Sequence, residues 1–220
     1  MEIITNFINI FLHLDKSLGG VITQYGTITY LLLFIILFCE TGLVVTPILP
    51  GDSLIFAAAS FGALGQLNIF ILIPLVLVAA ILGDATNYMI GAKIGKKLIE
   101  SNNRFIKKEY LEKTHKFYEK YGGKTIIIAR FVPIVRTFAP FVAGVGEMHY
   151  KTFFKYNAAG ATLWAVVVLG AGYFLGSVQF VKDNFSIVVF AIIFISVLPA
   201  IIGVLKEKSK KKLTDEETTI

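Results

Sequence analysis

Four charged side chains, Glu40, Asp52, Arg130 and Arg136, stand inside otherwise apolar sequence, each in a stretch broken by Pro or Gly. Two carboxylates and two guanidinium groups can pair with one another, grip an anion or pass a proton. One unpaired charge at the centre of a bilayer costs about 2.5 to 3.5 kcal/mol on insertion scales, so four would cost on the order of 10 kcal/mol. Something must offset that cost. The simplest device is a set of buried ion pairs, Glu40 with Arg136 and Asp52 with Arg130, that do no more than hold the chain together. A second is ligand binding, since the planar fork of Arg suits a phosphate gripped through paired donors. A carboxylate balanced between desolvation and neighbouring cations can also exchange a proton, which supplies a route to coupling.

Composition makes the surroundings a membrane: of 220 residues, 55% are apolar and 16% charged, and the mean hydropathy is strongly positive. At about 20 apolar residues per span, this length suffices for one bundle of several spans and leaves no room for a second domain. The predicted fold is therefore all-α, a polytopic membrane helix bundle over 1–205 followed by a basic cytoplasmic tail over 206–220. The single cysteine, Cys39, has no internal partner and reads as a small apolar filler.

The start of the chain lacks the early Lys or Arg of a cleaved signal. Ile3, Ile4, Phe7, Ile8, Phe11 and Leu14 form one apolar stripe, which predicts a helix lying on the membrane surface over 1–16. Ser17 to Cys39 is uncharged and predicts the first span, closed by Glu40. Ser53 to Gly83 carries Gly62, Gly65, Gln66, Asn68 and Pro74, too many interruptions for one straight helix. It divides into a half-length helix, Ser53 to Leu64, and a complete span, Asn68 to Gly83, kinked near Pro74. From Lys93 to Lys124 ten basic residues accompany a helical apolar face, which predicts an amphipathic cytoplasmic connector. Thr125 to Gly146 is apolar again but is interrupted by Arg130, Pro133, Arg136 and Pro140, whereas Asn157 to Ser177 and Asn184 to Leu205 are plain spans.

Excess Lys and Arg place the connector and the tail in the cytoplasm. With both there, the segment 125–146 must enter and leave by one face, and 40–65 must dip from the other, so two opposed re-entrant hairpins are predicted. Both termini are then cytoplasmic. Pro47-Ile48-Leu49-Pro50 and Pro133-Ile134-Val135-Arg136 head the two hairpins, and Gly91/Gly95 and Gly172/Gly176 follow them, an echo that suggests an inverted repeat. The plainer role of those glycines is close helix packing.

Irregular backbone at membrane depth must be buried in protein or line a watery cavity, which predicts a polar site between the hairpins. Pro50 and Gly51 stop regular structure, and Asp52 and Ser53 are N-cap types for the half-helix that follows; Thr137 has the same character after Arg136. Two inward helix starts and two arginines together suit a phosphate. Asp84 reads as a boundary charge or a supporting group, Asn157 as a helix cap, and Trp164 as packing.

The ordered set Glu40-Thr41-Gly42-Leu43, Pro47 to Asp52, Arg130-Phe-Val-Pro-Ile-Val-Arg-Thr137, Pro140, Ala143-Gly144, Met148, Asn157, Gly160-Ala161 and Trp164 resembles the DedA family, part of the wider SNARE-associated (VTT-domain) membrane proteins. The resemblance runs from Glu40 to Gly176. It implies a transporter of the bacterial inner membrane driven by the proton-motive force, a flippase returning undecaprenyl phosphate to the cytoplasmic leaflet for envelope synthesis. Other relatives are linked to phospholipid scrambling, and an ion or small-molecule exchanger on the same scaffold is a further alternative. By position, Glu40 and Asp52 match the family's essential acids and Arg130 and Arg136 its essential arginines. Two positions depart from the pattern: Ala129 stands where Gly is common, and Glu147 where a basic residue is.

Other motifs carry less. Tyr121-Gly-Gly-Lys-Thr125 imitates the end of a phosphate-binding loop, but Tyr118 occupies the first Gly position. His13, His115 and His149 lack ligand spacing, and no Ser or Cys has a recognisable base partner. The expectation is a transporter rather than an enzyme, with no cofactor, metal or nucleic acid. Its partners would be a lipid phosphate, protons and the membrane, with a homo-oligomer left open.

Overall fold

The computed structural model describes residues 19–43 except 21 and 23, together with 51–100, 122–146, 148–179, 181, 187 and 188. The surface helix expected over 1–16, Pro47 to Pro50, most of the connector, Glu147, all but two residues of the span Asn184 to Leu205 and the tail lie outside the described residues. Among those described the chain is all helical, with no strand. Six helices carry the architecture: α1 (Ile28–Gly42), α2 (Gly51–Ala63), α3 (Ile69–Glu100), α4 (Lys124–Ala129), α5 (Pro133–Val145) and α6 (Tyr150–Gly176).

Two of them are long and apolar enough to cross a bilayer, Ile69–Ile94 within α3 and Tyr150–Gly176. Both exceed their sequence expectation. α3 does not stop at Gly83 but continues for 32 residues, so Asp84 and Asn87 lie within the span, where each finds buried partners. Asn68 starts this helix by accepting the Phe70 N–H on its side-chain oxygen at 2.9 Å. α6 begins at Tyr150, which puts Asn157 two turns inside the helix rather than at its cap.

The remaining helices are short. The segment expected as an unbroken first span turns at Gly26, whose φ of 53° favours glycine, and α1 then runs 15 residues, about 22 Å at the helical rise. Glu40 does not close this helix; it lies inside its last turn and is buried. α2 has 13 residues. α4 and α5 are separated by a break at Arg130 to Val132, and Pro133 opens α5, where its missing N–H costs no helical bond.

Packing between these pieces depends on backbone contact. A Cβ on Gly91 of α3 would strike the Phe141 carbonyl of α5, and one on Gly144 of α5 would strike the Tyr88 carbonyl of α3. On the other side, Gly172 of α6 meets the Phe56 carbonyl of α2, and the Ser60 hydroxyl donates to the Gly172 carbonyl at 3.0 Å. The exchange is reciprocal: α2 packs on the long helix of the second half, and α5 on that of the first. Trp164, Leu37, Ile55, Val76 and Ala161 fill the centre between them. Close packing is thus what Gly91, Gly172 and Gly176 do. Gly91→Val should force α5 away from α3 and cost about 1–3 kcal/mol, read as a lowered midpoint in thermal unfolding of the purified protein. A wild-type midpoint would contradict that contact.

Candidate functional site

Charged and polar side chains from α1, α2, α3, α5, α6 and the α4–α5 break converge on one buried cluster. Glu40, Asp84, Asn87, Arg130, Arg136, Thr137 and Asn157 are all buried, and only Asp52 is partly open. Each member lies in a largely apolar stretch of its helix, so each polar group is held at depth by the others.

Arg130, in the break, donates through Nη2 to Asp84 of α3 and to the Asn157 Oδ1 of α6, the latter at 2.5 Å. Asn157 in turn donates to the Ile81 carbonyl at 3.1 Å, which fixes its orientation. Arg136, on the first turn of α5, donates through Nη1 to Asp52 Oδ1 at 2.6 Å, and its guanidinium carbon lies 4.3 Å from the centre of the Trp164 ring. The same ring is 6.0 Å from the guanidinium carbon of Arg130, so one indole lies beside both cations. Trp164 also donates through Nε1 to Asp52 Oδ1 at 3.0 Å.

The pairing differs from the sequence expectation. Arg130 takes Asp84, not Asp52, because α3 continues past Gly83 and carries Asp84 to the break. Asp52 is left to Arg136. Glu40, expected to pair with Arg136, is within electrostatic range of it, but its carboxylate packs against the backbone of Gly51. There the first N–H groups of α2, which have no acceptor within their own helix, and the helix dipole favour an anion.

Helix starts also differ in detail. α2 begins at Gly51, so Asp52 and Ser53 lie in its first turn rather than capping it, and Ser53 is buried; Pro50 lies outside the described residues. Val132 occupies the cap position of α5, and Thr137 is already inside the helix. The Thr137 carbonyl instead accepts a hydrogen bond from Asn87 Nδ2 at 2.8 Å, and the Thr41 carbonyl accepts from the same nitrogen at 3.1 Å. Asn87 therefore ties α1 to α5 through α3. Sequence reasoning passed it over; the available signal was its place one turn after Asp84 on an apolar helix.

Within this cluster several buried polar atoms have no hydrogen-bond partner among the described residues. They are the donors Arg130 Nε and Nη1 and Arg136 Nε and Nη2, and the acceptors Glu40 Oε2, Asp84 Oδ1 and Asn87 Oδ1. Leaving a buried polar group unsatisfied costs about 1–3 kcal/mol, more when it is charged. So many in one place mark a site that something else completes. The chemistry on offer is four guanidinium donors for an anion and three carboxylates against two cations. No group of His, Cys, Asp and Glu that could hold a metal occurs among the described residues.

Comparison with known proteins agrees with a membrane role. A family model described as the VTT domain matches residues 49–174. The chain is 51% identical over 211 residues to the Escherichia coli protein DedA, covering 94% of this chain and 96% of that one. A Mycobacterium tuberculosis protein described as an uncharacterized membrane protein is 47% identical over 174 residues, 78% of this chain and 76% of the relative. The Escherichia coli inner membrane protein YqjA is 32% identical over 148 residues, 67% of each chain. No solved structure matches.

Proposed function

The chain belongs to the DedA family of VTT-domain membrane proteins, and from that premise we propose that it is a proton-linked flippase for a lipid phosphate. Its substrate is undecaprenyl phosphate, carried to the cytoplasmic leaflet of a bacterial inner membrane so that the carrier lipid is used again. Arg130 and Arg136 hold the phosphate; Glu40 and Asp52 handle the proton. α2 and α5 belong to two re-entrant hairpins that enter from opposite faces, and both termini lie in the cytoplasm.

The observation that carries this reading is the set of buried guanidinium donors without partners, Nε and Nη1 of Arg130 and Nε and Nη2 of Arg136. A phosphate monoester offers several anionic oxygens to such donors, and Arg grips it through paired bonds. Proton coupling has its own support. Three carboxylates face two guanidinium groups, so one bound proton would bring the cluster without substrate to neutrality and ease its return between states at membrane depth. Of the two acids that handle it, Glu40 holds that proton at rest, since no arginine is hydrogen-bonded to it among the described residues, whereas Asp52 and Asp84 each hold one.

Reconstitution into vesicles with labelled undecaprenyl phosphate tests the reading. Arg130→Ala and Arg136→Ala should each abolish translocation while the protein stays folded, and wild-type transport should depend on an imposed pH difference. Undiminished transport in both variants would remove the head-group role. Transport of ordinary phospholipids with no response to pH would make the protein a passive scramblase instead.

A further inference from the structure

The two arginines are held very differently. Arg130 and Asp84 are sealed, with 1% and 4% of their side chains exposed, and Asn157 closes the pair. Arg136 is just as deeply buried, at 4%, but its counter-ion Asp52 is 25% exposed. Exchange of a counter-ion is therefore easiest at Arg136. At that place two donors from different helices, Arg136 Nη1 and Trp164 Nε1, converge on one oxygen, Asp52 Oδ1, at 2.6 and 3.0 Å. Converging donors around a single anionic oxygen are the arrangement that binds an oxyanion. Two more nitrogens of Arg136, Nε and Nη2, stand beside it, buried and without partners among the described residues.

We propose that Arg136 and the indole N–H of Trp164 form an oxyanion subsite, occupied by the Asp52 carboxylate in the empty protein and taken over by a phosphate oxygen when substrate binds. This rests on the lipid-phosphate reading above and specifies how that site loads. Asp52 is then a built-in competitor, and Trp164 is a substrate ligand rather than packing alone. The incoming phosphate gains Nη1, Nε1 and the waiting nitrogens of Arg136. The displaced carboxylate moves toward the side on which it is already exposed, while Arg130 keeps Nη2 on Asp84 and offers Nε and Nη1 to the phosphate. Trp164 keeps its ring over the Arg136 guanidinium throughout, so the cation is held in place while its anion changes.

The chain has one tryptophan, so its intrinsic fluorescence reports this subsite directly. The full chain in nanodiscs is titrated with inorganic phosphate and with farnesyl monophosphate, following tryptophan emission, and calorimetry gives affinities for variants without the indole. Trp164→Phe keeps an aromatic ring beside the guanidinium and removes the N–H; it should weaken binding by about tenfold, the value of one hydrogen bond to a charged acceptor. Asp52→Asn removes the competing charge and should tighten binding by about fivefold or more while transport is lost. Parallel effects on both probes support the subsite, and the more tightly bound probe tells whether its ligand is a lipid head group or free phosphate. Unchanged affinity in Trp164→Phe, or no tightening in Asp52→Asn, overturns the proposal while wild-type binding leaves the head-group reading standing. If wild type binds neither probe, that reading fails and the subsite with it. Should Trp164→Phe not fold, Asp52→Asn decides alone.

Discussion

Asp84→Ala should be among the most destabilising single changes in this protein, costing about 3–5 kcal/mol, because it leaves the Arg130 guanidinium charged and buried with Asn157 as its remaining acceptor. The expected readout is a sharply lowered thermal midpoint in detergent and little folded protein in the membrane. The double variant Asp84→Leu with Arg130→Met removes both charges together and fills their volume with apolar groups. It should recover most of the lost stability, since an apolar pair of similar size replaces a buried ion pair at little cost. Transport should not recover with it. That split separates the two roles open to these charges: if Arg130 only braces the fold, the double variant transports as well as wild type, and the head-group assignment of Arg130 falls.

Much of this site could be read before any coordinates, for one physical reason: in apolar sequence a charge is conspicuous, and its cost demands a partner. Glu40, Asp52, Arg130 and Arg136 stood out on that ground, and all four lie in the one cluster. Gly91, Gly172 and Gly176 were legible as packing, since only a hydrogen side chain allows the backbone approach seen between Gly91 and Phe141 or between Gly172 and Phe56. That 125–146 is interrupted was legible, but the half-helix expected after Arg136 already starts at Pro133, and Arg136 and Pro140 lie inside it.

Partner choice was not legible, because it depends on where long helices end. Placing a stop at Gly83 put Asp84 on the membrane boundary; the helix instead runs on to Glu100, as nothing in Gly83-Asp84-Ala85-Thr86 breaks it once the Asp is paired. That single difference reassigns Arg130 to Asp84 and gives Asp52 to Arg136. Capping preferences misled in the same way. Asp52, Thr137 and Asn157 are residue types that cap helices, but each is inside its helix and spends a side-chain or backbone group on a distant segment. At membrane depth such groups have no water to turn to, so tertiary partners override the local preference.

Asn87 shows what a purely charge-led reading passes over, and its removal should have the second large effect. Its side-chain nitrogen reaches the carbonyl of Thr41 at the end of α1 and that of Thr137 in α5, two segments 96 residues apart in number that flank Glu40 and Arg136. Asn87→Leu keeps the volume but takes away both donors, leaving two buried carbonyls each short of a bond. At about 1–3 kcal/mol for each, the expected loss is on the order of 2–6 kcal/mol, read again as a lowered midpoint. The consequence reaches the site, because Asn87 is the polar tie between the helix carrying Glu40 and the helix carrying Arg136. With that tie gone, any protein that still folds should bind farnesyl monophosphate more weakly than wild type, while Asn87→Gln, which keeps the donor on a longer arm, should recover part of the binding. Wild-type stability and wild-type binding in Asn87→Leu would mean that the spacing of Glu40 and Arg136 is set by the close contacts of Gly42, Gly83, Gly91 and Gly144 alone.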